Sequence, residues 1–146
     1  MFKNYILPFL LFFTSNLYAA CSLEMSSADL LQFNKKKLII DSSCSKFTIY
    51  FKHEGEMAAG TFGHNVVIVE RKNFDKVKAR IDMKLGEKLG YLPEMPEILA
   101  KTEIIGGGGQ TSVTIDATKF SKGSEYMFFC SFPGHYGGMQ GPVQIL

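Results

Sequence analysis

The sequence predicts an all-β sandwich or barrel interrupted by one helical insertion. Three observations lead there. Short runs of strand length, apolar or alternating, recur along the chain with turn-forming residues between them. Four consecutive glycines, Gly106 to Gly109, fit a loop or hairpin tip and nothing else. One region, beginning at Phe74, changes its apolar period from two to three and four.

Taken in order, Leu38-Ile39-Ile40 is a short apolar strand. Phe47, Ile49 and Phe51 then alternate with Lys46, Thr48, Tyr50 and Lys52, the signature of a half-buried strand. Val66 to Val69 is a fully apolar strand. Phe74, Val77, Ile81, Leu85 and Leu89 lie on one face of a helix, with Lys76, Lys78, Arg80 and Lys84 between them. The spacing predicts a single amphipathic helix laid against the sheet and ended by Tyr91-Leu92-Pro93. Val113 and Ile115 alternate with Ser112, Thr114 and Asp116; Glu125 to Cys130 is a strand, and Pro142 to Leu146 closes the set. Many short strands of this kind make a sandwich or barrel.

The first twenty residues are predicted to lie outside this fold. Lys3, an apolar run from Tyr5 to Phe13 and small residues at Ala19-Ala20 make a secretory leader, with cleavage after Ala19 or Ala20. Cys21 directly after the cut would also suit a lipoprotein, but Tyr18 stands where an aliphatic residue is usual. What remains, residues 21–146, is about 126 residues, one domain's worth. The formal charge of +2 falls to about +1 without Lys3, which leaves no electrostatic case for nucleic acid. Lys35-Lys36-Lys37 is a solvated turn, and no second apolar segment of membrane length follows the leader.

Three cysteines, Cys21, Cys44 and Cys130, suit one disulfide and one thiol left over in an oxidising compartment. The odd thiol is an accident, an intermolecular bridge or a ligand. If Cys130 is a ligand, Cys21 and Cys44 are the pair.

The chemistry concentrates in Cys130-Ser131-Phe132-Pro133-Gly134-His135-Tyr136-Gly137-Gly138-Met139. This Cys-x4-His-x3-Met run offers a thiolate, an imidazole and a thioether, and Gly63-His64-Asn65 offers a second imidazole far upstream. Two nitrogens, a strong sulfur and a weak one form the donor set of a trigonal copper site with a long axial bond. Pro133, Gly134, Gly137 and Gly138 supply the permissive backbone that two successive turns need. Met127, three residues before Cys130 on one strand, faces the other way. Met25, Met57, Met83 and Met95 suit core or surface filler, and His53, beside Glu54-Gly55, suits a structural or solvated position.

These residues resemble the azurins, bacterial members of the cupredoxin, or type 1 blue-copper, family. The resemblance runs from Cys21 to Leu146 and rests on Cys21, Gln32-Phe33-Asn34, Asp41 with Cys44, Gly63-His64-Asn65, Tyr126 to Cys130, and Phe132-Pro133-Gly134-His135. It implies an eight-stranded Greek-key sandwich with a helical insertion. It implies one copper held by His64, Cys130 and His135, with Met139 axial and the Gly63 carbonyl as a weak fifth contact. Asn65 and Phe132 match positions that support the ligands, Asn65 tying the two ligand loops together, and backbone N–H groups after Cys130 should bond its sulfur. Cys21–Cys44 matches the family disulfide. Leu31, Met57, Phe62, Phe132, Pro133 and Gly134 match an apolar docking patch around His135, the expected electron port.

Two departures stand out. Many azurins bury a tryptophan where Val66 stands here, and Phe33, Phe51 and Phe128 are expected to fill that volume. Tyr136-Gly137-Gly138 is more polar and permissive than the usual loop. The function expected is one-electron transfer in the periplasm by a monomer, not enzymatic turnover. The expected partners are redox proteins such as c-type cytochromes or periplasmic reductases. A copper carrier and a zinc protein are the competing readings, since Cys with two His also suits tetrahedral zinc. A non-metal binding sandwich is the reading the ligand cluster disfavours.

Overall fold

The computed structural model describes residues 21–146; the expected leader lies outside the described residues. Eight strands form two sheets: β1 Ser22–Ser27, β2 Leu38–Ile40, β3 Lys46–His53, β4 Val67–Glu70, β5 Ile98–Lys101, β6 Gln110–Asp116, β7 Tyr126–Phe129 and β8 Gln140–Ile145. A three-stranded sheet runs β1-β3-β6 and a five-stranded sheet runs β2-β8-β7-β4-β5. β1 pairs parallel with β3 and β2 parallel with β8, while all other pairs are antiparallel. Sequence neighbours are thus often not sheet neighbours, as in a Greek key.

The period-two reading of β3 holds. Phe47, Ile49 and Phe51 point into the core, and His53 continues the same inward phase. β7 is buried at all four positions because both of its faces are covered. Phe128 faces the main core, whereas Met127 and Phe129 face a second cluster with Val67, Val69, Val77 and Leu92. Met127 and Cys130 therefore lie on opposite sides of the sheet, as strand parity requires.

Val66 is fully buried, and the expected aromatics lie in the same core cluster. The Phe33 ring lies 5.9 Å from Phe51 and 5.4 Å from Phe128. Phe33 thus bridges Phe51 and Phe128, and each ring contributes about 1.5–3 kcal/mol by burial.

The single long helix does not form. After β4 and a 3-10 turn, α2 covers only Phe74–Lys78, followed by 3-10 turns at Met83–Leu85 and Glu87–Leu89 (α1 is the short helix Ala59–Phe62 before β4). Asp82 is extended, and its side chain accepts the Lys84 N–H instead of leaving the backbone to continue the helix. Gly86 then takes φ +72°, a conformation no right-handed helix can contain. Phe74, Val77 and Ile81 do pack on the five-stranded sheet as their spacing suggests, but Leu89 is 43% exposed. The insertion is thus a broken cover whose apolar stripe is only half used.

Cys21 and Cys44 form a disulfide, which fastens the start of β1 to the turn before β3. Among the described residues no helix is long and apolar enough to cross a membrane.

Candidate metal centre

His64 stands between α1 and β4, in an isolated bridge with Ile105. The chain reaches it through Gly63, where any Cβ would sit 2.3 Å from the Ala59 carbonyl oxygen and 2.5 Å from the Ile104 side chain. Only glycine fits so close an approach. Cys130 follows β7 directly, and its N–H donates to the Met139 carbonyl at 3.0 Å, which closes the loop on itself. Inside that loop, His135 N–H donates to Phe132 O at 3.0 Å and Met139 N–H to His135 O at 2.9 Å.

These turns bring three donors together. His64 Nδ1 and His135 Nδ1 are 3.1 Å apart, and each is 3.9 Å from Cys130 Sγ. The point equidistant from all three lies about 2.1 Å from each, against metal–imidazole bonds of about 2.0–2.1 Å and metal–thiolate bonds of about 2.3 Å. The triangle is already the size of a metal site. Among the described residues it is the one such cluster of His, Cys or carboxylate donors. Met139 is fully buried in the core that also contains Cys130 and Phe132.

The electrostatics favour a soft cation over protons. Burial pushes His64 down to about 4 and also lowers His135, so both imidazoles are neutral and free to donate. His64 Nε2 lies 2.9 Å from the Ala28 carbonyl. Nε2 therefore carries the proton and Nδ1 the lone pair, the usual division in a metal-binding imidazole. Burial pushes Cys130 up to about 12, opposed by N–H groups of Asn65 and Phe132 that bond its sulfur. A buried thiol with two N–H donors and two facing lone pairs is arranged for a thiolate that only a bound cation would stabilise.

Asn65 joins the two ligand segments. Its Oδ1 accepts Ser131 N–H at 2.9 Å, and its Nδ2 donates to Ser131 Oγ at 2.9 Å and to Thr102 O at 3.2 Å. Ser131 Oγ donates in turn to Gly90 O at 2.6 Å. Ser131, Thr102, Gly90 and Ala28 were not singled out from the sequence. Only Ser131 carried a signal, its place beside Cys130; the others act through backbone carbonyls contributed by distant loops.

The rings around His135 complete the site. Phe132 stacks on it at 4.3 Å, and Phe62 lies 4.7 Å away and 5.3 Å from His64. Leu31 is 47% and Met57 45% exposed, Leu30 adds a further exposed leucine, Pro133 is half-buried and Gly134 exposed. The Leu31 backbone abuts Gly138 of the loop. Met57 sits on a turn pinned by the Asp29 carboxylate, which accepts its N–H at 3.1 Å. His53 is not solvated. It is fully buried, stacked 4.9 Å from His64, and its Nδ1 accepts Gly55 N–H at 3.1 Å.

Residues 19–146 match the family model of copper binding proteins, plastocyanin/azurin family. The chain belongs to that family. It is 40% identical over 127 residues to azurin from Alcaligenes faecalis, covering 86% of this chain and 98% of that protein. It is likewise 40% identical over 128 residues to azurin from Pseudomonas fluorescens biotype C, covering 87% and 99%. A solved azurin from the obligate methylotroph Methylomonas sp. strain J superposes with a TM-score of 0.81 at 31% identity, over 88% of this chain and 99% of that one. The eight-stranded, two-sheet architecture is that of a cupredoxin, and the donor cluster fits a single copper ion.

Proposed function

We propose that this is a periplasmic type 1 blue-copper protein that carries single electrons between redox partners and has no substrate turnover of its own. His64, Cys130 and His135 are the strong ligands, Met139 the axial one and the Gly63 carbonyl a weak fifth. Residues 1–20 are the export leader and residues 21–146 one domain, which acts as a monomer. The observation that carries this reading is the pre-sized triangle of His64 Nδ1, His135 Nδ1 and Cys130 Sγ. The Cys21–Cys44 disulfide supports an oxidising compartment.

Copper held there supplies a one-electron Cu(II)/Cu(I) couple. The protein's part is to keep the donors still. Cys130 and Met139 are locked by a backbone hydrogen bond, His64 by Ala28, and His135 between Phe132 and Phe62. Donors that barely move between redox states keep reorganisation small, so transfer is fast. His64 and Cys130 are fully closed, whereas His135 retains 6% exposure. The His135 edge is therefore the port, and Leu31, Met57, Phe62, Phe132, Pro133 and Gly134 form an apolar rim against which a cytochrome c or periplasmic reductase docks weakly and leaves quickly.

The deciding measurement is the visible spectrum of the exported protein loaded with Cu(II), beside Cys130→Ser. An intense band toward the red, lost on reduction and lacking in the variant, is expected. A colourless wild-type protein, or one that purifies with zinc, would overturn the reading in favour of a carrier or a zinc protein.

A further inference from the structure

Between His135 and Met139 stand Tyr136, Gly137 and Gly138. Two glycines in succession carry the largest backbone freedom a chain can have. Tyr136 is the one residue of the three with a side chain; the Gln140 amide adds only a long hydrogen bond to the Gly137 carbonyl, at 3.4 Å. Gly138 is braced from one side by the Leu31 backbone, while the space beside Gly137 is open.

Tyr136 leans away from the metal-binding triangle, onto the other face of the sheet. It packs against the second buried cluster, that of Val67, Val69, Val77, Leu92, Met127 and Phe129, as Phe74 also does. Lys78 Nζ lies 5.8 Å from the Tyr136 ring centroid and 5.0 Å from that of Phe74, and Asp75 Oδ1 holds the same ammonium at 2.6 Å. Phe74 rests edge-on against Phe129 at 5.1 Å, and Phe129 immediately precedes Cys130. The short helix α2 thus grips both ends of the ligand loop: the strand end through Phe74 and Phe129, the turn through Lys78 and Tyr136.

We propose that Tyr136 is a positioning residue, and that α2 clamps the ligand loop through the Lys78–Tyr136–Phe74 contact so that His135 and Met139 hold their places despite the two glycines. The broken insertion then has a task beyond covering the sheet. The electron-transfer part of this inference rests on the copper reading above; the clamp itself does not. Ring burial and a partly exposed cation–π contact together suffice for about a tenfold change in local opening.

The test compares wild type, Tyr136→Ala, Tyr136→Phe and Lys78→Met. In the metal-free protein, amide hydrogen exchange at Gly137, Gly138 and Met139 is expected to quicken about tenfold in Tyr136→Ala and severalfold in Lys78→Met. It should stay within about twofold of wild type in Tyr136→Phe, with β6 amides unchanged in all three. In the copper-loaded protein, electron self-exchange should slow severalfold in Tyr136→Ala and recover in Tyr136→Phe. Loop exchange within twofold of wild type in Tyr136→Ala overturns the clamp, as does an equal rise across the whole sheet, which would mark Tyr136 as ordinary core. Quickened loop exchange in a protein that never becomes blue would instead leave the clamp standing and remove the electron-transfer reading.

Discussion

Asn65→Ala should cost about 4 kcal/mol of stability without touching a donor atom. The Asn65 amide makes three hydrogen bonds at a site closed to water: from Ser131 N–H, to Ser131 Oγ and to Thr102 O. Alanine leaves the Ser131 N–H without its acceptor, at about 1–3 kcal/mol for an orphaned buried donor. It also strips Thr102 O and Ser131 Oγ of a donor at about 1 kcal/mol each, and opens a small cavity. A domain of this size has about 5–15 kcal/mol in total, so the variant folds but is visibly weakened. With a urea slope of about 2 kcal/mol per molar, the midpoint should fall by about 2 M. The assay is urea denaturation of the metal-free, disulfide-intact protein, so that metal binding adds nothing to the native state. Ser131→Ala closes a double-mutant cycle, with a coupling of about 1 kcal/mol expected. A midpoint shift below about 0.5 M, or no coupling, would refute the view that Asn65 ties the two ligand segments together.

Three further outcomes follow from the geometry. Metal-free stability should fall as pH drops from about 6.5 to about 4. The unfolded His64 imidazole binds its proton near 6.5, while the folded one resists until about 4, so this contribution is complete above the window and gone below it. The loss is up to about 3 kcal/mol, with His135 adding in the same sense, and His64→Gln should flatten the profile in thermal melts across that range. Loading Cu(II) at pH 7 should release about one proton per copper, from Cys130, because both imidazoles are already neutral. Calorimetry in buffers of different ionisation enthalpy reads that number, and a value near zero would contradict it. Replacing Cys21 and Cys44 together with alanine should cost about 3 kcal/mol for a loop of 23 residues, seen as a lower denaturation midpoint with an unchanged visible spectrum.

The metal centre was legible because its donors are concentrated. Cys130 and His135 lie five residues apart, and with His64 they are the residue types the structure brings together; β3 was legible because its burial follows period two without exception. His53 obeys that same period, and the alternation extended by one step would have put it inside. β1 escaped notice because it pairs parallel with β3 yet buries few apolar side chains, Met25 foremost. β5 escaped because four residues carry too little pattern. The insertion was overread for a physical reason: three- and four-residue spacing is necessary for an amphipathic helix but does not hold it together. The Asp82 side chain and the positive φ at Gly86 outweighed it. The Asn65–Ser131–Gly90–Thr102 network could not be read at all, since its members come from four separate segments and two of them contribute backbone oxygens.

The parallel pairing of β2 with β8 bears on when the molecule can take shape. Leu38 must wait for Val143, roughly a hundred residues later in synthesis, before the strand it belongs to has any neighbour in its sheet. His64 waits in the same way for Cys130. An emerging chain therefore has neither the complete five-stranded sheet nor the donor triangle until its C-terminal segment has been made. The last segment of the chain is thus the one that completes both the larger sheet and the donor triangle, so its arrival couples the two events.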